Sequence, residues 1–266
     1  MGHVDEIASG HRFGFGSNWL KFSKSIDNSV IEKAVDHLSA QLGESDLTGK
    51  NFIDVGSESG VFSLAAYLLG ATVYSFDYDS ESVLATQQLK DKIKLDSDRS
   101  WVVEEGSVLD DEYINGLGEF DIVYSWGVLH HTGSMWNAIN NAASLVRDNG
   151  KLFISIYNDQ GMMSKYWLSV KKLYNYNIFL KIAVIIFHVP YLYGVRYLVR
   201  LFRRVSMERG MSLWYDMIDW LGGLPFEVAK PEQMFEFLHN QGFQMLKFTT
   251  VGNRTGCNEI ILKKIK

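Results

Sequence analysis

Unbroken apolar runs bounded by Gly, Asp and Ser recur along the chain: at 51–56, in "TVYSFDYD", in "SWVVEEG", in "FDIVYSWG" and in "KLFISIYN". Between them lie longer stretches with apolar residues three and four positions apart. These cover about 26–42 and the segments "VFSLAAYLLG", "ESVLATQQLKDKI" and "SMWNAINNAASLVRDNG". Short continuous runs suit strands buried on both faces, and the longer period suits amphipathic helices. Ser80 is placed to cap the third of these helices, and Gly150 is placed to end the fourth as a C′ glycine. Strands alternating with helices predict a parallel, doubly wound sheet covered on both sides.

The alternation stops near residue 160. About seventy aromatic, basic and helix-like residues follow before it resumes at "PEQMFEFLHNQG", a helix with Pro231 in its first turn. The runs "FQMLKFTTVG" and "NEIILKKI" close the pattern, near enough in sequence to pair antiparallel. The predicted fold is α/β: a doubly wound seven-stranded sheet, mostly parallel with its last strand antiparallel, carrying a helical cap insertion. Residues 1–44 form an N-terminal arm and helix. Residues 45–159 and 229–266 form the core, and 160–228 form the helical, basic cap.

Composition narrows the class. With 266 residues, 47% hydrophobic and 21% charged, the chain matches an ordinary globular protein with a sizeable core. One cysteine, Cys257, excludes an internal disulfide and a Cys-rich zinc site, and fits a reducing compartment. The start shows no basic-then-apolar export pattern, so a cytoplasmic location is expected. The most apolar stretch, 182–195, is interrupted by His188 and Pro190 and is too short to cross a bilayer. Charge is segregated: residues 160–210 carry nine cations against Glu208 alone, +8 in a chain of net charge −5.

The candidate chemistry begins at "NFIDVGSESGVFSLAA". In an open α/β sheet, ligands lie beyond the C-terminal strand ends, where a Gly-rich turn lets backbone approach them. A dinucleotide fingerprint needs glycines at 56, 58 and 61, and this chain has Gly56, Glu58 and Val61. Glycines spaced at 56, 58 and 60 fail only at Glu58. With Asp54 before Gly56, Asp77 ending the second strand, "EGSVLD" after the third, "FDIVYSWGVLHHTG" around the fourth and a closing strand pair, the chain resembles the class I S-adenosylmethionine-dependent methyltransferases. It is most similar to the ubiquinone-biosynthesis and methyltransferase type 11 branch. The resemblance covers about 45–157 and 231–264, and it implies a Rossmann-like sheet. It also implies S-adenosylmethionine as cofactor, with S-adenosylhomocysteine as product.

Carried over residue by residue, the resemblance implies a cofactor site of Trp19, Asp54, Gly56, Ser57, Gly60, Asp77, Tyr78, Ser107, Val108 and Trp126. Asp77 would accept both ribose hydroxyls. Asp54 would either touch the cofactor or orient the turn, and Ser107 stands where the family has an acid near the adenine. Glu58 would turn outward or meet the cofactor's ammonium. Phe13, Phe15 and Trp19 belong either to the core or to an arm folded over the site. His131, and after it His130, sit on the rim where a histidine could take a proton from a hydroxyl. In the cap, Asp216 is the alternative base, three residues from Asp219 on one helical face. Tyr157, Asn158, Asp219 and Arg209 are the substrate-binding candidates, with Arg203 and Arg204 nearby. No metal motif is present.

The expected activity is methyl transfer to an oxygen of a small, anionic or phosphorylated molecule, such as a surface-glycan or secondary-metabolite precursor. One alternative is a lipid or quinone methyltransferase with its cap in peripheral contact with a membrane. Others are an RNA methyltransferase, though no nucleic-acid partner is expected, and a non-catalytic cofactor-binding protein. The sequence does not speak to oligomeric state.

Overall fold

The computed structural model describes residues 3–195 and 213–265. Short helices α1 (His3–Ala8) and α2 (Gly16–Phe22) lead into α3 (Asn28–Leu42), which Asp27 caps by accepting from the Val30 amide. The repeating units follow: β1 (Asn51–Val55), α4 (Val61–Leu68), β2 (Thr72–Asp77), α5 (Ser80–Lys90), β3 (Trp101–Glu105), α6 (Asp111–Gly116), β4 (Phe120–Trp126), α7 (Met135–Ser144) and β5 (Val146–Tyr157). Helices α8 (Met162–Tyr176) and α9 (Ile178–Val189), a π-helical turn at Pro190–Val195 and α10 (Leu213–Gly222) precede α11 (Pro231–His239), β6 (Phe243–Thr249) and β7 (Cys257–Lys264).

The seven strands run in the order β3-β2-β1-β4-β5-β7-β6. Strands β1 to β5 pair in parallel, and β7 runs antiparallel between β5 and β6, as expected. Strand alternation splits the core into two layers. Phe52, Ile122, Tyr124 and Phe153 pack with α3 and α4 on one face. Ile53, Val123, Leu152 and Ile154 pack with α7 and α11 on the other. Chain order reverses at β1, which pairs with β2 on one side and β4 on the other, and this is where such sheets bind ligands.

Two local expectations are corrected. Asp79, not Ser80, caps α5 by accepting from the Glu81 amide, and Ser80 is the first helical residue. Helix α7 ends at Ser144, so Gly150 lies inside β5 and not at a helix end. The left-handed turn belongs to Asn149 (φ 63°). A side chain on Gly150 would stand 3.0 Å from the Asp121 carbonyl oxygen, so the position is kept bare by the adjoining β4 backbone.

Helices α8, α9 and α10 build a third cluster of their own from Trp167, Val170, Tyr174, Val184, Met217 and Leu221. The excursion holding them leaves and re-enters the sheet at one place. Asn158 bridges Ala229, the Ala229 amide donates to the Tyr157 carbonyl, and the Asp159 amide donates to the Ala229 carbonyl.

Candidate active site

The turn after β1 shows why that segment carries small residues. Gly56 and Gly60 have φ of 82° and 77°, in the left-handed region that side chains disfavour. A Cβ on Gly56 would fall 2.4 Å from Val128. Glu58 shares this geometry at φ 55°, so the position carries a glycine-type backbone with a glutamate on it. Beneath the turn, Asp54 is buried and accepts from the Ser63 hydroxyl. The chain continues through Ser75 to the Trp101 indole N–H. Ser57 hydrogen-bonds Thr86. Asp54, Ser57 and Gly60 therefore form the underside of the turn.

Above it lies a cavity of about 490 Å³, at the C-terminal ends of the parallel strands. Its floor is Gly56, Glu58, Asp77, Tyr78, Ser107, Val108 and Trp126. Glu6, Arg12, Phe13, Phe15 and Trp19 line it from the arm, and Asp216, Asp219 and Trp220 line it from α10. Tyr157, His131 and Cys257 complete the wall. The arm is tied across this opening. The Gly16 amide donates to Asp79, Asn18 donates to Asp219, Arg12 donates to the His131 carbonyl, and the Phe13 amide donates to the Leu224 carbonyl.

The fold thus gathers eleven of the candidates read from sequence around one space: Trp19, Gly56, Asp77, Tyr78, Ser107, Val108, Trp126, His131, Tyr157, Asp216 and Asp219. Others fall elsewhere. His130 is fully buried behind His131, its ring 3.9 Å from that of Tyr157. Asn158 does not line the cavity, since its amide donates to the Gly252 carbonyl and accepts from Asn258. Glu58 borders the cavity, close enough for its charge to act on Asp219. Arg203, Arg204 and Arg209 lie outside the described residues.

Burial decides the electrostatics. Asp77 accepts from the Glu58 and Asp79 amides at 3.0 and 2.9 Å, yet desolvation still lifts its carboxyl to about 6. Asp219 is pushed up to about 7, mainly by burial, then by the charges of Asp216 and Glu58. The Asn18 hydrogen bond and the Lys171 charge pull the other way. His131 is driven down to about 3 by burial and by Lys171, and its Nδ1 lies 2.6 Å from the Pro225 carbonyl. A carbonyl only accepts, so Nδ1 carries the hydrogen and Nε2 the lone pair. Burial also holds His130 well below the usual histidine range. Burial thus favours the neutral form of both rings.

Sequence reasoning did not single out Lys171 or Arg12. Lys171 is one of the nine cations of residues 160–210, and it is fully buried. It donates to the Trp220 carbonyl and lies 4.8 Å from both the Trp220 and Phe226 ring centres. No local pattern marks it, because its partners are about fifty residues away. Arg12, 5.2 Å over the Tyr78 ring, had a faint signal as the basic residue beside "FGFG".

These residues fit S-adenosylmethionine. The cavity has the volume of a small-molecule site. Its lining holds Glu6, Glu58, Asp77, Asp79, Asp216 and Asp219 against Arg12, and so complements a ligand bearing an ammonium and a sulfonium against one carboxylate. Asp77 is fixed by two amides with lone pairs left for hydroxyls.

Comparison with known proteins agrees. Residues 28–208, more than half of the chain, match the model of a methyltransferase domain family. The chain is 35% identical over 100 residues to the ribosomal protein L11 methyltransferase of Acinetobacter baylyi, covering 33% of each protein. It is 29% identical over 112 residues to the ubiquinone biosynthesis O-methyltransferase of Glaesserella parasuis, covering 42% of this chain and 47% of that one. The chain thus spans about a third to a half of the curated relatives it matches. Among solved structures, magnesium protoporphyrin IX methyltransferase from Synechocystis with bound S-adenosylhomocysteine aligns over 98% of this chain and 92% of its own. That alignment has a TM-score of 0.51 and 15% identity. A methyltransferase from Listeria monocytogenes aligns over 88% and 99%, at TM-score 0.53 and 11% identity. At such identities the likeness is one of fold; the family match, which covers more than half of the chain, supports the conclusion that the chain belongs to the methyltransferase-domain family.

Proposed function

We propose that this chain transfers the methyl group of S-adenosylmethionine to a hydroxyl oxygen of a small molecule with an apolar or aromatic body, and that Asp219 takes the hydroxyl proton. The observation that carries this is the Asp219 carboxyl on the wall of a cavity it shares with Phe13, Phe15, Tyr157 and Trp220, where burial pushes it up to about 7. A base poised near the working pH is the most effective one. The bound cofactor supplies an electrophilic methyl and a good leaving group. The protein's part is to align the acceptor, exclude water and remove one proton.

Asp77 and the β1 turn would hold the ribose side of the cofactor, and Ser107 and Val108 its base. Glu58 would face its ammonium. His131, neutral with Nε2 bare, would accept a hydrogen bond and help orient the acceptor. Asp216, on the same helical face, keeps Asp219 protonated to higher pH by its charge. The arginines that favoured an anionic acceptor are outside the described residues, and the described lining is acidic. An uncharged acceptor therefore fits this cavity better than a phosphorylated one. The same acidity favours an amine as a second reading. Matched phenolic and amine acceptors separate the two.

Asp219→Asn keeps the acceptor for the Asn18 hydrogen bond and removes the base. It should lower kcat on the order of 100-fold while cofactor affinity, read by calorimetry, changes by only a few-fold. In the parent enzyme kcat should rise with pH through about 7 and level off above it, because the ionised carboxylate is the active form. A variant that keeps both the rate and this pH profile assigns the proton to another group.

A further inference from the structure

Helices α8 and α9 turn one side into the cluster they share with α10 and the other side outward. On α8 the buried positions are Ser164, Trp167, Val170, Lys171 and Tyr174. On α9 only Val184 and His188 are buried, in a helix whose twelve residues include no acid and one lysine. The outward sides are not polar. Phe179, Phe187 and Ile186 are 81%, 75% and 69% exposed, and Met162, Tyr176 and Ile178 are exposed with them. Helices of globular proteins place charged residues on such a face, and contiguous exposed apolar surface marks an interaction site.

The charge around this face points to its occupant. Helices α8 and α9 carry four lysines and no aspartate or glutamate. Of these, Lys165 and Lys172 are exposed on α8, beside the apolar positions. Lys181 is half-buried, with its ammonium 4.9 Å from the Tyr174 ring. Apolar and aromatic side chains flanked by lysines, without a single acid, are what a helix lying in the headgroup region of an anionic bilayer presents. No helix among the described residues is long and apolar enough to cross a membrane, so contact would be along the surface. A second copy of this chain would bring the same positive charge to the interface and repel it.

We propose that the outward face of α8 and α9 docks on an anionic lipid bilayer. The bilayer takes up Phe179, Ile186 and Phe187, while Lys165 and Lys172 meet lipid phosphates. This stands apart from the acceptor reading, because its test measures no turnover. The full chain is floated with vesicles of phosphatidylcholine containing phosphatidylglycerol, and with vesicles of phosphatidylcholine alone. The parent should float with the anionic vesicles and much less with the neutral ones. Phe179→Glu with Phe187→Glu should lower the bound fraction at least tenfold while S-adenosylhomocysteine binding stays intact. Lys165→Glu with Lys172→Glu, which alters only exposed positions, should weaken flotation several-fold and reduce its salt dependence. Failure to float on either vesicle overturns the proposal. A parent that is dimeric in sedimentation, becomes monomeric on the Phe179 and Phe187 change and never floats assigns the face to self-association.

Discussion

Glu58 combines a backbone made for glycine with a carboxylate on the cofactor cavity. A non-glycine residue at positive φ costs about 1–2 kcal/mol, part of which a glycine loses again through its freer unfolded chain. Glu58→Gly should therefore stabilise the fold by up to about 1 kcal/mol in thermal melts while weakening S-adenosylmethionine binding in calorimetry. A tighter complex would mean that the carboxylate opposes the ligand. Asp219 carries an analogous tension. Burial raises its folded pKa above the ordinary aspartate value, so it contributes stability that is complete below about pH 4 and is lost as pH rises through about 7. The Asp219→Asn variant should lack that pH-dependent loss. Asp77, the glycine turn and the Asp216–Asp219 pairing were legible in the sequence because each depends on local spacing. Lys171 was not, because its burial depends on Trp220 and Phe226. Nor was the neutral state of His131, because desolvation has no sequence pattern.

At the scale of elements, α8 and α10 meet through opposite charges whose titrations bear on each other. Burial lowers Lys171 to about 7, against the pull of Asp219, and the Lys171 charge in turn lowers Asp219. Lys171→Met removes that charge and fills the space with an apolar side chain of similar length. The pH midpoint of kcat should then move upward from its parent value. An unmoved midpoint would show that the two helices do not share this electrostatic link. The strands were readable because β1, β2 and β4 are largely buried runs that stop at Gly56, Asp77 and Gly127. The ends of elements were harder. Asp79 and Ser80 are both good caps, and only the structure shows which accepts from the Glu81 amide. Asn149 took the left-handed position that the sequence suggested for Gly150.

For the whole molecule, the arm and the excursion after β5 close the cavity together. A ligand that enters beneath the arm would have to loosen its ties to Asp79, Asp219 and Leu224 and would then pack under them. Amide hydrogen exchange at residues 13–19 should slow when S-adenosylhomocysteine is added, while the already slow centre of β4 changes little. Equal exchange in both states would mean that the arm is a fixed wall and that ligands enter elsewhere. Whether Phe13, Phe15 and Trp19 served as core or as arm was undecidable from sequence, since the same aromatic spacing suits both. They do both, packing inward while lining the site.

The excursion after β5 starts and ends at a single pinned point, where Asn158 and Asp159 meet Ala229. A loop whose ends are already held together is nearly indifferent to its length, because closure entropy grows only with the logarithm of the residues enclosed. Evolution can therefore lengthen, shorten or exchange this segment at little cost to the sheet. The cofactor turn lies on the far side of β4 from that point. On the function proposed above, the acceptor end of the cavity could then be rebuilt while the methyl-donor end is kept.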